Sequence, residues 1–154
     1  MRVFLGCFIL ATASVAFPPN SQDLQKKYGA PVSGYFAVIP GVNLGVKYGS
    51  DHLVCQAVIE PPASLANKNR QAVLMSSAVV AEVIETVAPV AMRGKQINSI
   101  TTRSGCNTSR QIDYENVTIA RMTHECVPVS PDEEITAFLM FKRNACPKLK
   151  TLSH

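Results

Sequence analysis

The apolar positions of this chain change their spacing along its length, and each change predicts an element. Behind Arg2, the residues from Val3 to Ala16 carry hardly a polar atom, and Ser14-Val15-Ala16 places small residues before Phe17. A short basic start, an apolar stretch of this length and a small-residue exit describe a secretory signal peptide over 1–16. The run is too short to span a bilayer, and no later stretch approaches that length. Ser21 offers a helix N-cap, and the chain from Gln22 to Tyr28 reads as two helical turns stopped by Gly29 and Pro31.

The spacing then switches to a period of two. Residues 34–40 form an apolar run bounded by glycine and proline. Leu44, Val46 and Tyr48 alternate with Gly45 and Lys47. From His52 to Glu60, Leu53, Cys55, Ala57 and Ile59 share one face. Short turns at Gly41-Val42-Asn43 and Gly49-Ser50-Asp51 link these three strands into an antiparallel meander. After Pro61-Pro62, Asn67 or Asn69 can cap one long helix from about 70 to 87, on which Met75, Val79, Val80, Val83, Ile84 and Val87 form a single stripe. Pro89 ends it. A basic connector around Arg93-Gly94-Lys95 leads to three further strands, Ile97 to Arg103, Ile112 to Met122 and Glu133 to Lys142.

The expected fold is therefore α+β, in the order α-βββ-α-βββ. An antiparallel sheet of five to six strands carries the long helix on one face. One domain is expected over 17–146, followed by a basic tail over 147–154.

Composition alters this picture in two places. The formal charge is +4, but Arg2 belongs to the signal segment, and Lys142, Arg143, Lys148 and Lys150 lie beyond Phe141. Between Phe17 and Phe141, ten basic residues face eleven acidic ones. The basicity is a property of the tail, and the stripe that a nucleic-acid surface needs is lacking. The second change comes from the cysteines. With Cys7 in the signal segment, Cys55, Cys106, Cys126 and Cys146 remain, an even set that in an exported chain predicts two disulfides. No two of them have zinc-ligand spacing. If the fifth and sixth strands form a hairpin, Cys106 and Cys146 fall at one end and Cys126 at the other. A ten-residue strand spans roughly 33 Å, against about 5.5 Å between bridged Cα atoms. The expected pairs are Cys55–Cys126 and Cys106–Cys146.

Candidate chemistry is sparse. Asp51-His52 sits at a turn, where the aspartate serves its Asx hydrogen bond. His124-Glu125 lacks a third metal ligand, and His154 is terminal. Asp113 and Glu115 lie two apart on a strand, a pairing that supports acid/base work only when burial separates the two. No nucleophile elbow, phosphate loop or dinucleotide fingerprint is present, so no cofactor is expected. Asn107-Thr108-Ser109 and Asn116-Val117-Thr118 are sequons. Arg93 and Lys95 are candidate anion contacts. The leading expectation is a secreted or periplasmic, non-enzymatic binding or interaction module for an extracellular or periplasmic protein or ligand. It would work through sheet edges or the strand-rich face. The alternatives are a small secreted hydrolase built on His52, His124, Asp113 and Glu115, and a cell-wall or anionic-polymer binder.

Overall fold

The computed structural model describes residues 17–63, 74–124, 133–143 and 146. The chain enters through α1 (Ser21–Tyr28). Asn20, one residue earlier than expected, caps it. Its side-chain oxygen accepts from the N–H groups of Gln22 and Asp23, and Asp23 reaches back to the Asn20 N–H at 3.0 Å. Leu24 is the residue of this helix that enters the core.

Next come β1 (Tyr35–Ile39), β2 (Val42–Tyr48) and β3 (Val54–Glu60). A two-residue β4 (Met75–Ser76) leads directly into α2 (Ser77–Val87), and α3 (Val90–Arg93) adds one turn. The chain closes with β5 (Gln96–Ser104), β6 (Asn107–Tyr114), β7 (Val117–His124) and β8 (Glu133–Phe141). The eight strands of the described residues belong to one sheet, ordered β1-β2-β3-β8-β7-β6-β5, with β4 pairing β8 off that path. Every pairing is antiparallel. The architecture is two meanders, β1 to β3 and β5 to β8, joined along β3 and β8 by four register pairs from Gln56↔Met140 to Ile59↔Ala137.

The core lies on one face of this sheet. Phe36, Leu44, Ala57, Ile59, Leu139, Phe141, Val117 and Ile119 meet Val80, Val83, Ile84 and Val87 of α2. Helix α1 lies on the same side, where the Lys27 ammonium donates to the Thr86 hydroxyl of α2 at 2.7 Å. Among the described residues, no helix is long and apolar enough to cross a membrane.

Three expectations are corrected. Among the described residues the sheet has eight strands instead of five to six, and the order α-βββ-α-βββ is broken by β4. The long helix of 70–87 does not form: of its described residues, 74–87, only the eleven of α2 are helical. Met75 and Ser76 are extended against Glu134 and Glu133 of β8. Met75 is buried as a strand residue, so its place in the apolar stripe did not reveal its conformation. Valine-rich sequence adds little helical preference of its own to resist that pairing. The expected caps Asn67 and Asn69 lie outside the described residues.

The third correction concerns the disulfides. Among the described residues, the cysteines within bonding distance are Cys55 and Cys146, with Cα atoms 5.3 Å apart. This overturns both expected pairs, Cys55–Cys126 and Cys106–Cys146. The stretch read as one strand, 112–122, is two strands folded at Glu115-Asn116. Asn107 consequently pairs with His124. Cys106 therefore sits at the His124 end of the sheet, away from the end at which Phe141 pairs with Val117 and from which the chain runs on to Cys146. Cys126 and the residues expected to form a signal peptide, 1–16, and a basic tail, 147–154, lie outside the described residues.

Candidate binding surface

The face opposite the helices is open among the described residues, and the register organises it into rows. One row crosses all seven long strands: Tyr35, Gly45, Val58, Phe138, Ala120, Gln111 and Ile100 are successive cross-strand partners. Five of the seven carry apolar or aromatic side chains, and Phe138 remains 43% exposed. Met140, 60% exposed, stands in the next row between Gln56 and Thr118. On a sheet face that only water covers, alternation commonly turns polar residues outward, so the apolar row marks this face as the candidate binding surface.

Gly45 gives the row its relief. A Cβ at this position would lie 2.8 Å from the Tyr35 ring and 2.8 Å from Val58. The missing side chain lets the Tyr35 ring lean over the strand, the usual way an aromatic covers a strand glycine. The result is a groove of about 360 Å³ lined by Tyr35, Lys47, Gln56, Val58, Glu60 and Phe138. Its walls are aromatic and aliphatic, and its rim carries one cation, one anion and one amide.

Hydrogen bonding to the Glu60 carboxylate, and then the charge of Glu60, raise the Tyr35 phenol above its usual range, with a further contribution from burial. Because the folded value is raised, the contribution of this bond to stability is fully present below the ordinary phenol pKa of about 10. It is lost as pH rises through the folded value. Glu60→Gln is expected to bring the Tyr35 titration back down toward about 10, read as phenolate absorbance in an alkaline titration. An unchanged titration would show that Glu60 does not hold the ring.

The remaining sequence candidates are dispersed. His52 is at the β2–β3 turn with φ 63°, and Asp51 accepts from the Leu53 N–H at 3.1 Å, the expected Asx bond. Together with Tyr48, whose phenol is raised by burial, they border a cavity of about 580 Å³ beside the start of α1. His124 ends β7 with its Nδ1 2.8 Å from the Asn107 Oδ1. Asp113 lies six residues along β6 from Asn107, about 20 Å away at strand rise. Its carboxyl is held below the usual range, first by the Thr118 hydroxyl at 2.6 Å, which outweighs the opposing effect of burial, and then to a lesser degree by Gln111 and the nearby Lys142 charge. Glu115 accepts from the Lys95 N–H at 2.9 Å and so closes the β6–β7 turn. These four residues do not converge, and among the described residues no group of three or more His, Cys, Asp or Glu side chains could hold a metal ion.

Arg93 is engaged within the fold. Its guanidinium pairs with Glu85 at 2.6 Å, donates to the Ala88 carbonyl at 2.7 Å and lies over the Tyr114 ring. It lines a cavity of about 200 Å³ between α2 and β6–β7 with Ile84, Ile112 and Arg121. Arg121 is paired there with Glu134. Lys95 is exposed. Of the two sequons, Asn107 is exposed, whereas the Asn116 amide donates to the Met92 carbonyl at 2.8 Å.

Sequence reasoning placed Val58 on the face away from Cys55, Ala57 and Ile59, and the structure agrees. It did not single out Tyr35, Gly45 or Phe138. The only trace of them in the sequence was a glycine in an alternating strand and a Phe inside a strand whose inward set was already apolar. No family model, curated protein or solved structure matches this chain.

Proposed function

We propose that the chain is an exported, non-enzymatic binding module that holds its partner on the open face of its sheet. The observation that carries this reading is the row from Tyr35 to Ile100, with its groove over Gly45. A surface of this kind suits a partner that presents an extended, largely uncharged apolar strip flanked by hydrogen-bonding groups. The strip would lie along the row, and Lys47, Gln56 and Glu60 would meet the flanking groups. A flat apolar centre with a polar rim is how interaction surfaces are generally built. The signal-like segment and the oxidised cysteines support a site of action outside the reducing cytoplasm.

The test uses immobilised protein exposed to extracellular or periplasmic material, with Phe138→Asp and Val58→Lys as open-face variants and Arg93→Ala as a variant of the opposite face. Retention of the same partner is expected to fall about tenfold or more in the first two, as for central interface residues, and to persist in the third. It is expected to change little when salt is raised. Retention lost only in Arg93→Ala, or abolished by salt, would overturn the reading.

A further inference from the structure

The two edges of the sheet are unlike. The β1 edge is five residues long and is interrupted by an irregularity between Ala37 and Ile39. Folded chains commonly protect an edge in this way. The β5 edge is nine residues long, Gln96 to Ser104, and every residue of it is exposed. It contains no proline, no lysine and a single charge, Arg103. Its irregularity lies at its first turn of register, between Gln96 and Asn98, which leaves Asn98 to Ser104 regularly paired with β6.

The direction of its backbone groups follows from one hydrogen bond. The Ser99 N–H takes the Asn98 side-chain oxygen as acceptor at 2.8 Å. It therefore points away from β6, toward the side on which another strand would lie. In an antiparallel ladder these directions alternate, so the N–H and C=O groups of Thr101 and Arg103 point outward as well. The Asn98 amide supplies one acceptor of the kind that a neighbouring strand would provide.

We propose that β5 pairs antiparallel with β5 of a second copy of this chain, about a two-fold axis at Ile100. In that register Ser99 exchanges both backbone hydrogen bonds with Thr101 of the second copy, and the reverse, using the groups that point outward. Ile100 faces its own counterpart in the close, non-hydrogen-bonded position, where Cα atoms lie about 4.5 Å apart. The charges suit this register. Arg103 falls opposite Ile97 of the second copy and Lys95 opposite Gly105, so no like charges meet. The apolar row of the open face then runs through Ile100 into the second copy without a break. The two-fold arrangement also closes, because it consumes the exposed long edge of each chain and offers none for a third. The pairing extends the face assigned above to binding, but it depends on the edge alone, and a test that reads mass leaves the binding reading to its own test.

The experiment is sedimentation of the oxidised, full-length protein across a concentration series, with Ile100→Lys, Ile100→Glu and Thr101→Pro variants. The wild-type protein is expected to sediment at twice the mass of the chain. A two-fold axis brings two lysines together from one substitution, so Ile100→Lys is expected to weaken association at least about tenfold. Thr101→Pro removes an outward N–H that β6 does not use and is expected to do the same. Both should keep the wild-type circular dichroism and melting temperature at dilutions where the wild type is monomeric. An equimolar mixture of Ile100→Lys and Ile100→Glu is expected to recover the dimer. A wild-type protein that stays monomeric throughout, an Ile100→Lys variant that associates like wild type, or a charge-swapped mixture that stays monomeric would each overturn the proposal.

Discussion

Replacing Cys146 with alanine is expected to destabilise the protein by about 2–5 kcal/mol, the cost typical of removing a native bridge from a small domain. The bridge closes a long loop, since its cysteines are 91 residues apart. In the chain-entropy account a loop of that order gives a value near the upper end, about 4–5 kcal/mol. For a chain of this size the melting temperature should fall by about 10–15 °C. Cys146 is the better residue to change because Cys55 is buried and its sulfur lies 3.4 Å from the Lys47 carbonyl. Cys55→Ala would add a packing loss to the loss of the bridge. The control is reduction: in reductant, wild type and Cys146→Ala should melt together. A gap that persisted there would assign the effect to something other than the crosslink.

The position of the bridge explains why it matters. Strands β3 and β8 share only four register pairs, yet they are the seam at which the two meanders meet. Each meander is otherwise built from contacts local in sequence. The Cys55–Cys146 bond ties the last strand of the first meander to the chain just beyond the second, and so limits the separation of the two halves.

The sequence revealed the strands better than it revealed the topology, and the β6–β7 turn shows why. Ile112 and Tyr114 point to the helix side, and so do Val117, Ile119 and Arg121. The inward positions change from even to odd between 114 and 117, and that phase change is the mark of a tight turn. It was readable, but no glycine or proline announced it. The turn is specified by tertiary contacts: the Glu115 N–H donates to the Lys95 carbonyl and the Asn116 N–H to the Arg93 carbonyl, both at 3.0 Å. Gly94 allows that approach, since it takes φ 75° and a Cβ there would lie 2.6 Å from the Glu115 carboxylate. Reading through this turn as one strand moved Cys106 to the wrong end of the sheet and produced both wrong disulfide pairs.

The open-face row was illegible for a related reason. Tyr35, Val58, Phe138 and Ile100 are scattered over about a hundred residues, and only the register makes them neighbours. Within β3 the alternation was enough to separate Val58 from Ala57 and Ile59. Across strands it was not, because irregularities at Lys47/Tyr48 and Met122/Thr123 shift which residues face one another.

The second large effect is expected at the one buried charge among the described residues. Glu134 is 1% exposed. Arg121 of β7 donates to it through Nε at 3.0 Å and also through Nη2, while the Ser77 hydroxyl donates at 2.7 Å. Arg121 Nη2 reaches the Ser77 carbonyl as well. The cluster joins β7 and β8 to the first residue of α2, a helix whose N-cap, Ser76, makes no side-chain cap bond. Arg121→Met would leave the carboxylate buried with a single hydroxyl and is expected to cost about 3–5 kcal/mol. Glu134→Leu should cost less, about 1–3 kcal/mol. The Arg121 side chain is one-third exposed, so its charge can turn to water. The double variant Arg121→Met/Glu134→Leu is expected to return close to wild type, because matched apolar side chains replace an ion pair with little net loss. Urea denaturation of the four proteins measures the cycle. If Arg121→Met costs less than about 1 kcal/mol, or if the two losses simply add, the pair is not coupled. The start of α2 would then be held to the sheet by Met75 and its β4 pairing instead.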